Sequence, residues 1–229
     1  MWEPTTYGME LKRIFVFKPF WFTWITFVAL IGWLPVGFLV PETWGWENGP
    51  IENFQFAFLL FGIYASWRAS RTYKDDDVLR GWWLWSILAW LIIIGREMSW
   101  GRNFFPATPP GEVPVFLGRE ELSFGPFIHP LIFFSALILV VGLAWNFDWK
   151  KLKTTIRIPV YDATAFVICF LCFTLFEQDV IDVPDEYNMR MEEIGETIAY
   201  WCLVNIVYLN GFREKSNEER LDSTIDKKE

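Results

Sequence analysis

Six long apolar segments, separated by shorter polar connections, dominate the hydrophobic pattern of the chain. Each approaches the roughly 20 residues that an α-helix needs to cross about 30 Å of hydrocarbon. The segments are apolar on all faces, whereas the strands of a membrane β-barrel alternate over about ten residues. The pattern therefore predicts six helical spans, at about 20–40, 51–67, 81–97, 127–145, 159–177 and 193–212.

Composition supports a membrane protein, because 53% of the 229 residues are hydrophobic and 20% are aromatic. We predict an all-α fold: a polytopic transmembrane helical bundle forming one domain over 1–213, with a frayed or disordered polar tail at 214–229. The first segment contains Pro35 and no small-residue cleavage site follows it, so a retained span is expected rather than a signal peptide. The short second and third segments are expected to extend into flanking polar residues.

Basic residues lie mainly on one side of the predicted bundle. Sixteen of the 20 Lys and Arg residues fall in the termini or in the even-numbered connections, and only Arg96, Arg102, Arg119 and Arg190 fall in the odd-numbered ones. Cytoplasmic connections carry the excess of Lys and Arg in membrane proteins. This bias predicts a bacterial inner-membrane protein with both termini in the cytoplasm. Trp44, Trp46, Trp100, Phe104 and Phe105 are then expected to form an aromatic belt at the outer interface.

Titratable residues recur at the outward ends of five consecutive spans. They are Glu52 at the second, Glu97 at the third, His129 at the fourth, Glu177 and Asp179 at the fifth, and Glu193 and Glu196 at the sixth. Ionisable groups at membrane depth are costly and usually mark function. We therefore predict that Glu52, Glu97, His129, Glu193 and Glu196 form a binding site, to which Glu177 could add a metal ligand.

Helical spacing places several of these carboxylates close together. Glu193, Glu196 and Tyr200 share one helix face, and carboxylates on one turn repel unless a positive group lies between them. That group could be a proton, a metal ion, or one of the counter-charges Arg96, Arg102 and Arg190. A structural role stays open, because helix N-termini favour acids such as Glu52, Glu193 and Glu196. Glu97 and Glu177 end their helices, which is the unfavourable end for an anion.

Other residues narrow the range of possible ligands and reactions. Cys169, Cys172 and Cys202 are interpreted as small packing residues rather than a disulfide framework or a metal site. Asp162 is expected to be hydrated or bound to Thr155 or Arg157. A single histidine argues against histidine-rich membrane oxygenases and zinc hydrolases, no phosphate-binding GxxxxGK[ST] motif occurs, and no basic stripe suggests nucleic-acid binding.

The stretch Glu97-Met-Ser-Trp-Gly-Arg resembles an E-[IM]-S-W-G-[QR] signature of uncharacterised bacterial multi-span inner-membrane proteins. Those proteins pair it with an acidic E-x-G-x-x-E stretch, matched here by residues 47–52, and with a glutamate-rich start of the last span, matched by 192–196. His129 matches a lone histidine after the middle connection. The family has no established activity, so the resemblance implies a shared architecture and polar cluster rather than a reaction.

Three functions follow from the pattern. The first is a carboxylate-rich site at the periplasmic helix ends for a divalent cation (Mn, Fe, Mg or Ca) or for a cationic or lipid head group. The second is a non-catalytic scaffold or accessory subunit of a membrane complex or envelope pathway, with a protein partner in the membrane or periplasm. The third is a proton-coupled transporter, although polar residues do not line a full path. Whether the protein is an enzyme stays open, because the Glu-x-x-His repeats of di-metal bundles are missing.

Overall fold

The computed structural model describes residues 14–109, 114–178, 180 and 184–212, without the side chains of 185 and 186. Six long helices and one short helix account for most of the described chain. They are α1 (Trp21–Leu39), α2 (Pro50–Thr72), α3 (Asp77–Glu97), α4 (Gly125–Trp145), α5 (Trp149–Thr155), α6 (Val160–Glu177) and α7 (Asp185–Gly211). The prediction that the chain folds mainly into helices is confirmed. The expected tail at 214–229 lies outside the described residues.

Four of the long helices, α1, α3, α4 and α6, are long and apolar enough to cross a membrane. The other two, α2 and α7, span 23 and 27 residues but carry more polar side chains. Their polar residues lie mostly inside the bundle: Glu52, Gln55 and Ser66 of α2 are buried, as are Glu196 and Asn205 of α7. Central helices that contact other helices need less apolar surface than helices that contact lipid.

The helix α7 lies at the centre of the bundle and packs on α6, α2 and α1. The helix α3 packs on α2, and α4 packs on α3 at the edge of the bundle. The ends of α1, α3 and α6 and the beginnings of α2, α4 and α7 meet at one end, which we name the site end. The other end holds the acid–base contact between Lys151 and Asp76, 2.9 Å apart, and the short parallel strand pair β1 (Phe15–Val16) and β2 (Ile158–Pro159).

Large apolar side chains cover the outer surface, as a lipid-contacting protein requires. Ile31 of α1 is 79% exposed, Phe127 of α4 is 70% exposed and Leu171 of α6 is 58% exposed. Water would penalise this arrangement by about 25 cal/mol for each Å² of apolar surface. The exposed apolar faces therefore agree with contact between these helices and a lipid bilayer.

Tryptophan side chains of α3 pack on glycines of the two neighbouring helices. A Cβ atom on Gly62 of α2 would lie 2.6 Å from the Trp90 ring, and one on Gly142 of α4 would lie 2.2 Å from the Trp85 ring. Trp90 also donates a hydrogen bond of 2.9 Å from Nε1 to Ser66 Oγ. Small residues allow this close helix approach, which is how helices associate where no water drives them together.

Asp162 is fully buried between three helices, and this placement contradicts the expected hydrated position near Thr155 or Arg157. Thr23 and Thr26 of α1 each donate a hydroxyl hydrogen bond of 2.6 Å to one oxygen of Asp162. Asn205 of α7 donates from Nδ2 to Asp162 Oδ1 at 2.8 Å. The sequence could not predict these partners, because they lie 136 or more residues away on α1 and 43 residues away on α7. The contact joins α1, α6 and α7 in the half of the bundle away from the site end.

Helix boundaries differ from the predicted spans in informative ways. The second and third helices extend into polar sequence, to Thr72 and back to Asp77, as expected. Asp76 begins α3 as its N-cap, accepting hydrogen bonds from the backbone N–H groups of Val78 and Leu79. The last helix begins at Asp185, eight residues before the predicted start of the sixth span, so the glutamates predicted near its N-terminus lie within it.

Candidate functional site

A left-handed turn follows α3 and directs the chain back over the site end. Ser99, Trp100 and Gly101 have positive φ angles of 44°, 54° and 92°. This region suits glycine but is strained for a serine or tryptophan. Gly95 leaves room for the Trp100 ring, since a Cβ there would lie 2.7 Å from a ring carbon. The Gly-Arg-Glu-Met-Ser-Trp-Gly stretch therefore forms a compact corner that positions the residues on both sides of it.

Arg96, in the last turn of α3, is the centre of a hydrogen-bonded network with Glu97, Glu196 and Tyr200. Its Nη1 donates to Glu97 Oε1 at 2.8 Å and to Tyr200 Oη at 3.0 Å, and its Nη2 donates to Glu196 Oε1 at 2.7 Å. Tyr200 in turn donates its hydroxyl to Glu97 Oε1 at 2.6 Å. The two carboxylate side chains are only 6% and 5% exposed, while Arg96 is 48% exposed. The guanidinium thus supplies the cationic partner that an anion at a helix C-terminus requires.

Glu52, at the start of α2, joins the network through amide groups. It accepts hydrogen bonds from the backbone N–H of Asn48 and from Asn103 Nδ2, the latter at 3.2 Å. The same Asn103 Nδ2 lies 3.2 Å from the backbone oxygen of Glu97, so it links α2 to α3. Asn48 has a positive φ of 62°, and Gly49 has no room for a Cβ beside the backbone oxygens of Trp44 and Trp46. The E-x-G-x-x-E stretch is therefore the tight turn that orients Glu52.

Glu193 lies beside the same network on α7 and contacts the fully buried Gln55 of α2. Gln55 Nε2 donates to Glu193 Oε2 at 2.8 Å and to the Glu193 backbone oxygen at 3.0 Å. Glu193 and Glu196 are the ninth and twelfth residues of α7. The favourable field of a helix N-terminus falls off within the first turn, so it does not explain why these two acids lie here.

A cavity of about 580 Å³ lies on the other side of Arg96, between the end of α3, the left-handed turn and the start of α4. Its polar lining is mainly basic: Arg96, Arg102, Arg119, His129, Ser99 and Glu120. Trp100, Ile128 and Ile132 supply apolar walls. A volume in this range is typical of small-ligand pockets. Arg119 Nη2 lies 3.8 Å from Glu120 Oε1, so two of the three arginines have acidic partners. The lining therefore places a cavity rich in basic residues next to the acidic network, with Arg96 shared between them.

The predicted site residues therefore fall into three groups. Glu52, Glu97, Glu193 and Glu196 converge with the counter-charge Arg96, whereas His129 and Arg102 line the cavity instead. Arg102 donates from Nε to the backbone oxygen of Leu117 at 3.1 Å.

Glu177 lies near enough to the acidic network to act electrostatically on Glu196, and Arg190 makes its contacts elsewhere at the site end. Glu177 is exposed at the end of α6, and in the described chain its side chain makes no hydrogen bond or ion pair. Arg190 is buried, contacts the backbone oxygen of Val40, and lies 4.5 Å from the Tyr187 ring centroid. Asp179 lies outside the described residues.

The described residues contain no group of three or more His, Cys, Asp or Glu side chains arranged to hold a metal ion. The acids that converge already accept hydrogen bonds from Arg96, Tyr200, Gln55 and Asn103. Cys169, Cys172 and Cys202 are free thiols, and two of them pack within an apolar cluster between α1, α6 and α7.

Several site residues were missed at the level of sequence. Gln55 and Asn103 are neutral amides, so no pattern of charged residues marks them. Arg119 was noted only as one of the basic residues in the odd-numbered connections. Glycine and asparagine are common in turns, so Gly101 and Asn103 could have predicted a turn after α3. Contacts between α2 and α7 join residues 138 positions apart, and no local pattern encodes them.

Comparison with known proteins identifies no relative: no protein-family model, no curated protein and no solved structure matches the chain. The resemblance based on residues 97–102 therefore stays a prediction.

Proposed function

We propose that this chain is a six-span inner-membrane protein that binds the anionic head group of a lipid in the cavity beside Arg96. The observation that carries the proposal is the cavity lining, in which three arginines and a histidine surround about 580 Å³. Arginine suits phosphate recognition because its planar guanidinium presents several N–H donors in a fixed geometry. The ligand class is thus a phosphate-bearing lipid head group.

The acidic network has a positioning role in this proposal. Glu97, Glu196 and Tyr200 use three of the five N–H donors of Arg96, which leaves two for a ligand. Anchoring a flexible side chain before the ligand arrives lowers the entropy that binding must overcome. The carboxylates therefore hold the arginine in place rather than coordinating a cation.

A lipid is favoured over a soluble anion because of the helix that forms one wall. Phe127 and Leu131 of α4, on either side of His129, are 70% and 55% exposed. An amphiphile can place its head group against the arginines and its chains along these residues. A soluble phosphate would contact only the polar lining and would make no use of this apolar wall.

The remaining alternatives have less support. A divalent-cation site would need oxygen ligands free to converge, but the four acids that do converge accept hydrogen bonds from Arg96, Tyr200 and amide groups. Among the described residues, no surface is distinguished as a docking site for a protein partner, so a scaffold role has no specific observation in its favour. A transporter would need a polar path, but the face of α7 between Met191 and Cys202 packs in an apolar cluster with Trp33 and Phe176.

Lipid binding is tested by native mass spectrometry of the purified protein with phosphatidylglycerol or with zwitterionic phosphatidylcholine. We expect preferential retention of phosphatidylglycerol and about tenfold weaker binding for Arg102→Gln, since a charged hydrogen bond contributes roughly 1.5–3 kcal/mol. Arg80→Gln is the matched control, because Arg80 makes the same charge change at the opposite end of the bundle. Equal retention of both lipids, or unchanged binding by Arg102→Gln, would exclude the proposal.

The six-span topology is tested separately by labelling single introduced cysteines with a membrane-impermeant maleimide in intact cells with a permeable outer membrane. The variant Ala107→Cys, in the connection after α3, should be labelled from outside. The variant Asp75→Cys, between α2 and α3, should be labelled only after lysis. The reverse pattern would overturn the orientation, and equal labelling of both positions would overturn the span count.

A further inference from the structure

The amide of Gln55 has an unusual environment at the carboxyl group of Glu193. Gln55 is 0% exposed, and its Nε2 donates to Glu193 Oε2. Its Oε1 is buried and has no hydrogen-bond partner among the described residues. Buried polar atoms are nearly always hydrogen-bonded, so an orphaned oxygen of this kind needs an explanation. The missing partner must be a donor, because an amide oxygen can only accept.

The charged groups that act on Glu193 are mainly carboxylates from three helices. Glu52 on α2, Glu97 on α3, and Glu192 and Glu196 on α7 all act on it electrostatically. The cation of the network, Arg96, is bound to Glu97 and Glu196. Within the described chain Glu193 forms no ion pair. Several carboxylates and one guanidinium cannot all be ionised in a buried cluster without strong repulsion.

We propose that Glu193 is a proton-binding site and is a neutral carboxylic acid at neutral pH, paired with the carboxamide of Gln55. In the pair, the acid O–H donates to Gln55 Oε1 while Gln55 Nε2 donates to the other carboxyl oxygen. Both groups are then satisfied in one ring, and the buried amide oxygen gains its missing donor. A proton fits this position because it needs neither a cavity nor further oxygen ligands.

A coupling to the cavity follows, and it rests on the proposed lipid binding, whereas the proton site itself does not. If Glu193 lost its proton, a further negative charge would lie in the network behind Arg96. That charge would weaken the attraction between the cavity and an anionic head group. Proton binding and anion binding should therefore favour each other, as linkage between two sites requires.

Infrared spectroscopy of the protein in lipid nanodiscs tests the proton site directly. At neutral pH we expect a C=O stretching band of a protonated carboxylic acid that is lost in Glu193→Gln. The band should persist in the control Glu42→Gln, which changes an exposed acid of the connection before α2. Gln55→Leu should retain the band and shift it to higher frequency, because the acid loses its hydrogen-bond partner; a purely structural role for Gln55 would not move it.

Stability provides the second measurement. Glutamine has nearly the shape and polarity of a neutral glutamic acid, so Glu193→Gln should fold and should unfold at a temperature no lower than the wild type. A wild type without the band, a band of unchanged area in Glu193→Gln, or failure of Glu193→Gln to fold would each overturn the proposal. If the band behaves as expected but lipid binding is absent, the proton site stands and the proposed function fails.

Discussion

Arg96 Nη2 donates a hydrogen bond of 2.7 Å to Glu196 Oε1, and this contact joins the last turn of α3 to the middle of α7. The two residues are 100 positions apart. The contact encloses Tyr200 and Glu97 in the same network and holds the arginine at the boundary between an acidic cluster and a basic cavity. The first prediction tests how much this contact contributes to the fold.

Glu196→Ala should lower the free energy of unfolding by about 1–3 kcal/mol, because the partly buried Arg96 loses its main partner on α7. Because the guanidinium is half exposed, water can partly replace the lost carboxylate. The loss of stability should therefore be smaller than for a fully buried ion pair. Thermal unfolding in detergent followed by near-UV circular dichroism would measure the change. Glu42→Ala, on an exposed acid at the same end, should change stability by less than about 0.5 kcal/mol; equal losses in both variants would contradict the assigned contact.

Asp162→Leu should lower the free energy of unfolding by about 1–3 kcal/mol, since it removes the acceptor of the hydroxyls of Thr23 and Thr26 and of the Asn205 amide. Thr26→Val should lower it by less. The double variant should lose less than the sum of the single variants, because the two residues share one hydrogen bond. Strictly additive losses in this double-mutant cycle, measured by chemical unfolding, would show that the contact contributes little.

Gly95→Ala should destabilise the corner after α3 by about 1–3 kcal/mol, because the added Cβ would lie 2.7 Å from the Trp100 ring. Gly32→Ala is a matched control within a helix: its Cβ would meet its nearest neighbour, on Val36, at 3.8 Å. The control should be neutral or more stable, since alanine is the better helix former by about 1 kcal/mol. Unfolding temperatures of the two variants check this contrast, and similar values would argue against the close packing of Trp100.

Lys151→Met should lower stability at pH 7 by no more than about 1 kcal/mol, since the Asp76–Lys151 pair is solvent-accessible and screened. The hydrogen bond from Lys151 holds the pKa of Asp76 below its usual range. A lowered pKa in the folded state stabilises the protein at pH values above the unfolded value of about 3.9. The contribution is lost as the pH falls through the folded pKa.

The difference between Lys151→Met and wild type should therefore shrink in acid. Unfolding measured from pH 7 downwards would follow it. Lys150→Met removes the same charge from an exposed neighbour and should show no such trend. If the stability difference between Lys151→Met and the wild type did not change with pH, the effect of the substitution would not depend on Asp76.

Length and apolarity predicted the helices well because both are local properties. The described chain holds six long helices close to the predicted segments, and α3 and α4 begin or end within four residues of the expected positions. The start of α7 was the exception. Residues 185–192 are too polar for a lipid-facing helix, but tertiary contacts such as the hydrogen bond from Trp33 to the Met191 backbone, 2.8 Å long, hold this part of the helix in place.

The candidate site was predictable only in part. Helix spacing placed Glu193, Glu196 and Tyr200 near one another, and the unfavourable position of Glu97 at a helix end indicated a cationic partner, which is Arg96. The spacing of charges along a chain does not reveal which carboxylate meets which donor. Glu52 and Glu193 therefore appeared as metal ligands, although in the fold they accept hydrogen bonds from Asn103 and Gln55.

The sequence by itself determined the helical, lipid-compatible architecture and the gathering of acids at one end, because hydrophobic segments and helical periodicity act over a few turns. Only the tertiary structure decided that the network at Arg96 separates the acids from a basic cavity. It also decided that Asp162 lies among hydroxyl and amide donors. These outcomes depend on how α1, α2, α3, α6 and α7 pack across long sequence separations, and packing selects which polar groups are buried together.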